Sequence, residues 1–224
     1  MRLTALLLDL DGTLVNTAPD MVGALNRLLA KHGRPEVEFA DAAKQVSNGA
    51  RALVQHGFGG ELSSKFEQEL IEEFLATYAQ HVCEASHLYE GMHDCLELCE
   101  THKVPWGVIT NKPIALAKEV LRGLGLFERC NLLLGGDSLP VKKPDPVPLL
   151  HSAMVLSLAP SECLYVGDHL RDIQAAKAAG MDAAAAAWGY LSDNEDPADW
   201  QPDYIFASPN GLKKYLVEQL NKQQ

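Results

Sequence analysis

The 224-residue sequence lacks long apolar runs, a basic charge balance and any CxxC pair. No stretch approaches the roughly 20 apolar residues that a membrane-spanning helix needs, so we expect no membrane protein. With 19 basic and 30 acidic residues, the formal net charge is −11, which argues against nucleic-acid partners and anionic membrane surfaces. A small anionic ligand remains compatible with this charge, because one metal ion and a few cations can set the field inside a pocket.

The five cysteines are an odd number without metal-site spacing, which is typical of reduced thiols in a cytoplasmic protein. Cys95 and Cys99 lie four residues apart on a predicted helix, close in sequence to His93 and His102. This group has two interpretations, a metal site or cysteines that pack as small apolar residues. The second is the simpler, since buried cysteine packs much like a small hydrophobic residue.

The apolar segments alternate with helical patterns along most of the chain. Asp9 follows the first apolar run at once, so this run predicts a buried strand rather than a secretory leader. The predicted strands are 3–8, 104–110, 131–134, 163–166, 183–188 and, at the sheet edge, 204–207. The predicted helices between and after them are 91–102, 113–123, 146–157, 170–179 and 209–220. This alternation predicts an α/β fold with a doubly wound, Rossmann-like parallel sheet.

Residues 17–83 have no comparable strand signal and predict a helical unit. Thr17 can cap a first helix with Asp20 three residues on, Gly33 ends it, and residues 62–83 give a second long helix. We therefore expect a discontinuous core of residues 1–16 and 84–224 with a helical insert of residues 17–83. An insert directly after the first strand lies over the carboxyl ends of the strands, where such folds bind ligands.

Chemically active side chains follow the predicted strands. Asp9 and Asp11 are two residues apart on an extended segment, and such neighbouring carboxylates repel unless a cation or a shared proton lies between them. Three further segments carry hydroxyl, amide, cationic and acidic groups: Thr110-Asn111-Lys112, Lys143-Pro144 and 167–172. Each alone fits a helix cap or a solvated charge. Together, at successive strand ends, they predict one site.

With these segments the chain resembles the phosphatase branch of the haloacid dehalogenase superfamily. Segment 9–14 is similar to the first family motif, Thr110 to the second, Lys143-Pro144 to the third and 167–172 to the fourth. The helical insert resembles the small α-helical cap of that family, so the match covers the whole chain. Within the branch, the chain is similar to phosphoglycolate phosphatases and more closely to N-acetylmuramic acid 6-phosphate phosphatases.

The resemblance implies a role for each motif residue. Asp9 would be the nucleophile that forms an aspartyl-phosphate, and Asp11 would protonate the leaving oxygen and later activate water. Lys143 and Thr110 would be the further catalytic residues that neutralise and hydrogen-bond the transferring phosphoryl group. The cofactor would be Mg²⁺, held by Asp9, the backbone carbonyl of Asp11, Asp168 and, in an outer or water-bridged position, Asp172. The implied substrate-binding residues are Gly12, Thr13, Asn111, Lys112, Asn48, Gly49 and Arg51.

The expected substrate is a small phosphorylated metabolite, either N-acetylmuramic acid 6-phosphate, from cell-wall recycling, or 2-phosphoglycolate. Arg51 can grip the carboxylate that both compounds carry, or it can be a solvated arginine at a helix start. Two rival functions remain open from the sequence: a sugar phosphomutase of the same superfamily and a non-catalytic phosphate-binding module. We expect a monomer or a homodimer.

Overall fold

A parallel sheet of six strands forms the centre of the fold. The structure is a computed structural model that describes residues 3–222, so the ends of the predicted core at 1–2 and 223–224 lie outside the described residues. The six strands are β1 (Ala5–Leu8), β4 (Trp106–Ile109), β5 (Leu132–Leu134), β6 (Cys163–Gly167), β7 (Asp182–Ala186) and β8 (Tyr204–Phe206). Their order is β5-β4-β1-β6-β7-β8, and each neighbouring pair is parallel. The predicted α/β fold is confirmed.

Helices cover both faces of this sheet. They are α5 (Met92–Thr101), α6 (Ile114–Gly123), α7 (Val147–Val155), α8 (Leu170–Ala179) and α9 (Pro209–Asn221). Successive strand side chains point to opposite faces, so Leu6 and Leu8 of β1 pack with α5, α6 and α9. Ala5 and Leu7 pack on the other face with α7 and α8. Burial on both faces explains why the strands are continuous apolar runs.

Four helices follow the first strand and have an apolar core of their own. They are α1 (Ala18–Lys31), α2 (Phe39–Ala43), α3 (Ala50–Phe58) and α4 (Ser64–Gln80), and we call them the helical insert. Leu25, Leu53 and Phe74 are among its fully buried residues. The chain enters and leaves the insert through a short antiparallel pair, β2 (Val15–Asn16) and β3 (His87–Leu88). The sequence did not predict this pair, because two-residue strands carry no periodic signal.

Two side chains at the start of α1 act differently from the sequence prediction. Thr17 occupies the N-cap position but makes no capping hydrogen bond with its side chain. Its hydroxyl instead donates to Oδ1 of Asp11 at 2.6 Å. Asp20 accepts hydrogen bonds from the backbone amides of Ala85 and Ser86 at 2.8 and 2.9 Å and thereby joins α1 to the segment that leaves the insert. Thr17 is thus the N-cap residue, as predicted, but its helical backbone (φ −98°, ψ −3°) differs from the extended conformation that usually accompanies side-chain capping.

The environment of the cysteines favours packing over a metal site at Cys95 and Cys99. All five cysteines are free thiols. Cys95 and Cys99 are fully buried between α5 and the sheet, and this burial raises the pKa of both thiols to about 12. His93 is exposed and pairs with Glu97 at 3.7 Å, away from these thiols.

Within residues 3–222, no helix is both long enough and apolar enough to cross a bilayer.

Candidate active site

The predicted motif residues converge at the carboxyl ends of three adjacent strands. Asp9 follows β1, Thr110 follows β4 and Asp168 follows β6, and β1 is the strand between the other two. The helical insert lies over this edge and encloses a cavity of about 280 Å³. Its lining includes Asp9, Asp11, Met21, Ser47, Asn48, Gly49, Arg51, Tyr78, Thr110, Asn111, Lys112, Lys142, Lys143 and Arg171.

Three carboxylates form a cluster on the floor of the site. Oxygen atoms of Asp9, Asp168 and Asp172 lie within 4.8 Å of one another. Burial, together with the neighbouring Asp172, raises the pKa of Asp9 to about 6 although Lys143 opposes the shift. Burial and the charges of Asp9 and Asp172 raise the pKa of Asp168 to about 7. The cluster therefore concentrates negative charge that the protein alone does not neutralise.

Lys143 supplies the positive charge beside this cluster. Its Nζ lies 2.9 Å from Oδ1 of Asp9 and 2.7 Å from Oδ1 of Asp172. It also donates to the Tyr165 hydroxyl at 2.6 Å, and that hydroxyl donates to the Ile109 carbonyl at 2.8 Å. Burial alone would lower the pKa of Lys143, but the charges of Asp172 and Asp9 raise it overall. The lysine is thus a buried, fixed ammonium group next to the predicted nucleophile.

The donor set of the cluster fits a hard divalent cation. All the donor atoms are carboxylate oxygens, which is the chemistry that Mg²⁺ prefers. Within the described chain, Oδ1 of Asp9 accepts no hydrogen bond, and its one close cation is Lys143. Asp172 is fully buried, accepts a hydrogen bond from the His169 amide at 3.1 Å and lies 2.7 Å from Nζ of Lys143. Asp9, Asp168 and Asp172 are therefore the side chains that could hold Mg²⁺.

Gly12 and Thr13, in the loop after Asp9, position Asp168. Gly12 has a φ of +83°, and a Cβ at this position would lie 2.1 Å from Oδ2 of Asp168. The Thr13 hydroxyl donates to Oδ1 of Asp168 at 3.2 Å, and the Tyr190 amide donates to Oδ2 at 3.0 Å. The Gly12 amide is already bonded to the Val15 carbonyl at 3.0 Å. Neither Gly12 nor Thr13 is among the residues that line the cavity, and their expected contact with the substrate stays a prediction.

Asp11 faces the cavity from the opposite side of the loop. Its Oδ1 accepts hydrogen bonds from the Thr17 hydroxyl at 2.6 Å and from Nζ of Lys112 at 2.9 Å. The charge of Asp11 raises the pKa of Lys112 despite the opposing effect of burial. Lys112, expected as a substrate ligand, therefore contacts the predicted acid–base residue directly.

Thr110 and Asn111 line the cavity beside Asp9. The Thr110 hydroxyl accepts a hydrogen bond from the Lys112 amide at 3.2 Å, which leaves its proton free to be donated elsewhere. Asn111 donates from Nδ2 to the Lys143 carbonyl at 2.8 Å and thus braces the lysine loop. Its Oδ1 is buried without a hydrogen-bond partner in the described chain.

The roof of the cavity comes from the segment before α3. Arg171, at the start of α8, donates to the Ser47 carbonyl at 2.7 Å and to Oδ1 of Asn48 at 3.1 Å. His169 accepts at Nδ1 from the Arg171 amide at 3.2 Å, and its Nε2 lies 3.1 Å from Oδ1 of Asn48 and 2.9 Å from NH2 of Arg171. Burial lowers the pKa of His169 to about 4 and Arg171 adds to the effect, which keeps the ring neutral. Asn48 therefore contacts the core, and Gly49 forms the adjoining cavity wall.

Arg51 also lines the cavity, but it has a partner within the helical insert. Its NH1 lies 3.0 Å from Oε2 of Glu67, and its side chain is 63% exposed. The guanidinium therefore lies at the cavity, as carboxylate recognition requires, and is largely exposed, as a solvated arginine would be. It reaches the cavity, and one carboxylate already shares its charge.

Several residues of the site were not predicted. Ser47, Tyr78, Lys142 and Arg171 line the cavity, and Tyr165 holds Lys143. Arg171 and Lys142 lie next to motif residues, so proximity in sequence could have found them. Tyr78 gave no such signal, because in the sequence it is one of several apolar residues of a long helix.

Comparisons with known proteins agree with this arrangement. The family model described as haloacid dehalogenase-like hydrolase matches residues 6–186. A phosphoglycolate phosphatase of Xanthomonas campestris is 41% identical over 208 residues, which cover 93% of this chain and 94% of the relative. An N-acetylmuramic acid 6-phosphate phosphatase of Pseudomonas aeruginosa is 40% identical over 212 residues, which cover 95% of this chain and 94% of the relative.

Solved structures show the same fold. A predicted phosphoglycolate phosphatase from Haemophilus somnus superimposes with a TM-score of 0.85 at 29% identity, covering 96% of this chain and 98% of the other. The family model spans most of the chain, and the named relatives match it nearly end to end. The protein is therefore an enzyme of the haloacid dehalogenase-like hydrolase family, and the relatives named here are phosphatases.

Proposed function

We propose that this enzyme is a Mg²⁺-dependent phosphomonoester hydrolase that works through an aspartyl-phosphate on Asp9. The observation that carries the proposal is the contact of Asp9 with Lys143 inside the carboxylate cluster, at the floor of a cavity lined by cations. A carboxylate held beside a fixed ammonium group and an oxygen-only metal site is suited to attack phosphorus. The Asp11 carboxyl at the same cavity wall supplies the acid and base function.

The proposed reaction has two steps. A carboxylate oxygen of Asp9 bonds to phosphorus while the bond from phosphorus to the leaving alcohol oxygen breaks, and Asp11 gives that oxygen a proton. Water, which loses a proton to Asp11, then attacks phosphorus and releases phosphate from Asp9. Lys143 stabilises the transferring oxygens, and the Thr110 hydroxyl donates to them. Bound Mg²⁺ supplies the positive charge that lets an anionic carboxylate approach a phosphate dianion.

The cavity favours N-acetylmuramic acid 6-phosphate over 2-phosphoglycolate. Its volume of about 280 Å³ is close to the lower end of the roughly 300–1,000 Å³ of small-molecule pockets and exceeds the volume of a two-carbon acid phosphate. Five cations line the cavity, and three of them, Arg51, Lys112 and Lys143, also pair with carboxylates; the other two are Lys142 and Arg171. Both candidate substrates add a carboxylate to the phosphate, and the amino sugar is the larger of the two.

The helical insert acts as the cap of this site in our proposal, with residues 17–83 as the cap and 1–16 and 84–224 as the catalytic core. Contacts of Arg171 with Ser47 and Asn48 support this division, because they join the two parts across the cavity. We place the enzyme in the cytoplasm, where five unpaired thiols stay reduced, and expect a monomer or a homodimer.

The experiment that tests the function is phosphate release with Mg²⁺ at equal, low concentrations of the two candidate substrates. We expect a higher kcat/KM for N-acetylmuramic acid 6-phosphate, with free phosphate as the product. A preference for 2-phosphoglycolate would keep the chemistry and overturn the substrate assignment. An isomeric sugar phosphate in place of free phosphate would identify a mutase. Inactivity on both compounds and on 4-nitrophenyl phosphate would overturn the proposed hydrolysis.

A further inference from the structure

The Asp11 carboxyl is held at one of its two oxygens. Both the Thr17 hydroxyl and Nζ of Lys112 donate to Oδ1, at 2.6 and 2.9 Å. Oδ2 accepts no hydrogen bond from the residues of the described chain. The carboxyl is thus oriented by two donors at one oxygen, and the other is left for a proton and for the cavity that Asp11 lines.

Lys112 is itself held by the helical insert. Its side chain is 4% exposed, and its Nζ lies 4.5 Å from the centroid of the Tyr78 ring and 3.6 Å from Sδ of Met21. Tyr78 belongs to α4 and Met21 to α1, so two helices of the insert enclose a lysine of the core. A cation over an aromatic face is attracted by the ring, and more strongly where water is excluded.

We propose that Lys112 is a positioning residue for Asp11, and that Tyr78 is the group of the insert that fixes Lys112 in this position. The inference rests on the proposed phosphatase function. Held at Oδ1, the Asp11 carboxyl directs Oδ2 and its proton to the leaving oxygen. As the bond from that oxygen to phosphorus breaks, the proton passes to it, and the Lys112 ammonium stabilises the carboxylate that remains.

The alternative is that Lys112 binds the phosphoryl group directly, as the sequence led us to expect. The two roles differ in how they respond to the leaving group. Proton donation matters most for a poor leaving group and little for a good one, because a stable anion departs without a proton. A phosphoryl ligand stabilises the same transferring group whatever leaves, so its loss slows all esters alike.

The test compares Lys112→Met with wild type on phenyl phosphate and 4-nitrophenyl phosphate, which have similar shapes but different leaving groups. We expect the kcat/KM of the variant to fall about 10-fold more for phenyl phosphate, whose phenolate is the poorer leaving group. Lys142→Met is the matched control, because Lys142 also lines the cavity and has no contact with Asp11 among the hydrogen bonds and ion pairs of the described residues. It is expected to affect both esters equally.

The part played by Tyr78 is tested with two substitutions that keep the buried volume approximately constant. Tyr78→Phe retains the aromatic face and should keep the wild-type ratio between the two esters. Tyr78→Met removes that face and should reproduce the selective loss of Lys112→Met. In the double variant of Lys112→Met and Tyr78→Met the losses should not add, since both act on one carboxyl.

The possible results separate this inference from the function on which it rests. Equal losses of Lys112→Met on both esters, from an active wild type, would overturn the positioning role and leave the phosphatase intact. Additive losses in the double variant would overturn the role of Tyr78. A wild type that releases phosphate from neither ester would overturn the proposed function, and the positioning role with it. Activity of each variant on 4-nitrophenyl phosphate shows that it is folded.

Discussion

The Ser47 hydroxyl donates a 2.7 Å hydrogen bond to Oδ2 of Asp168 and so joins the helical insert to the carboxylate cluster. The same oxygen accepts from the Tyr190 amide at 3.0 Å. The Tyr190 hydroxyl in turn donates to Oδ1 of Asn16 at 2.8 Å, directly before the insert. The position of the insert and the environment of Asp168 are therefore linked by two separate routes.

Ser47→Ala should weaken Mg²⁺ binding more at low pH than at high pH. Burial raises the pKa of Asp168 to about 7, and the hydrogen bond from Ser47 opposes this shift. Loss of the hydrogen bond raises this pKa further, so protons compete better with the metal. We expect a loss of up to about 10-fold in affinity near pH 6.5, which shrinks above about pH 8. Calorimetric titration with MgCl₂ measures this, and Ser47→Thr, which keeps the hydroxyl, is the control. A loss that is independent of pH would contradict the prediction.

The stabilisation by Mg²⁺ should increase with pH. Asp9 and Asp168 have folded-state pKa values of about 6 and about 7, above the ordinary value of 3.8. From the ordinary pKa of 3.8 up to the folded-state values of about 6 and about 7, the folded protein binds more protons than the unfolded chain. The stability of the metal-free protein therefore falls as the pH rises over this range. A cation that binds only the folded state opposes the loss. Thermal unfolding with MgCl₂ or with EDTA should give a Tm difference that is larger at about pH 8 than at about pH 5. A constant difference would show that these carboxylates do not bind the metal.

Asp9→Asn should abolish turnover, because a neutral amide oxygen does not attack a phosphate. Asp11→Asn should lower kcat by at least ~100-fold, the low end for general acid–base catalysis. Phosphate release from the preferred substrate measures both. After mixing with substrate, Asp11→Asn should still form some phosphorylated Asp9, which mass spectrometry detects, whereas Asp9→Asn should form none. Near wild-type turnover by Asp9→Asn would contradict the covalent mechanism.

Arg51→Ala should discriminate between substrates with and without a carboxylate. N-acetylglucosamine 6-phosphate lacks the lactyl carboxylate of N-acetylmuramic acid 6-phosphate and is otherwise matched. We expect KM to rise about 10-fold for the muramic compound only, as for one charge-assisted hydrogen bond at a partly exposed site. Glu67→Gln, which removes the partner 3.0 Å from Arg51, should lower KM for the same compound. Equal effects of Arg51→Ala on both sugars would refute carboxylate recognition.

Asp20→Ala should destabilise the fold by about 3 kcal/mol. Asp20 is 4% exposed and accepts from the amides of Ala85 and Ser86 and from the Ser86 hydroxyl, so its removal leaves the buried amide and hydroxyl of Ser86 without this partner. Urea unfolding measures the change, and Asp20→Asn, which keeps one acceptor oxygen, should cost less. A loss below about 1 kcal/mol would mean that water replaces the carboxylate in these hydrogen bonds.

The fold could be predicted because its signals are local. The strand that became β1 is an apolar run interrupted by Asp9, and its burial on both faces requires such a run. The order of the motif residues, each after a strand, also indicated that Asp9, Thr110 and Asp168 meet at one sheet edge. The family assignment and the α/β fold followed from these features and are confirmed.

The chemical groups of the site, and the strand ends at which they lie, could be predicted from the sequence because both depend on local pattern. The contacts of each group could not, because they depend on how the elements pack. Thr17 has the residue type of a helix cap, but its hydroxyl binds Asp11, and Lys112 reaches the same carboxyl from a segment about a hundred positions away. Tyr78 looks like any core residue of a long helix until the packing of the insert places its ring over that lysine. Such contacts depend on distances between elements that are remote in the chain, and these distances are set by the packing of the whole fold.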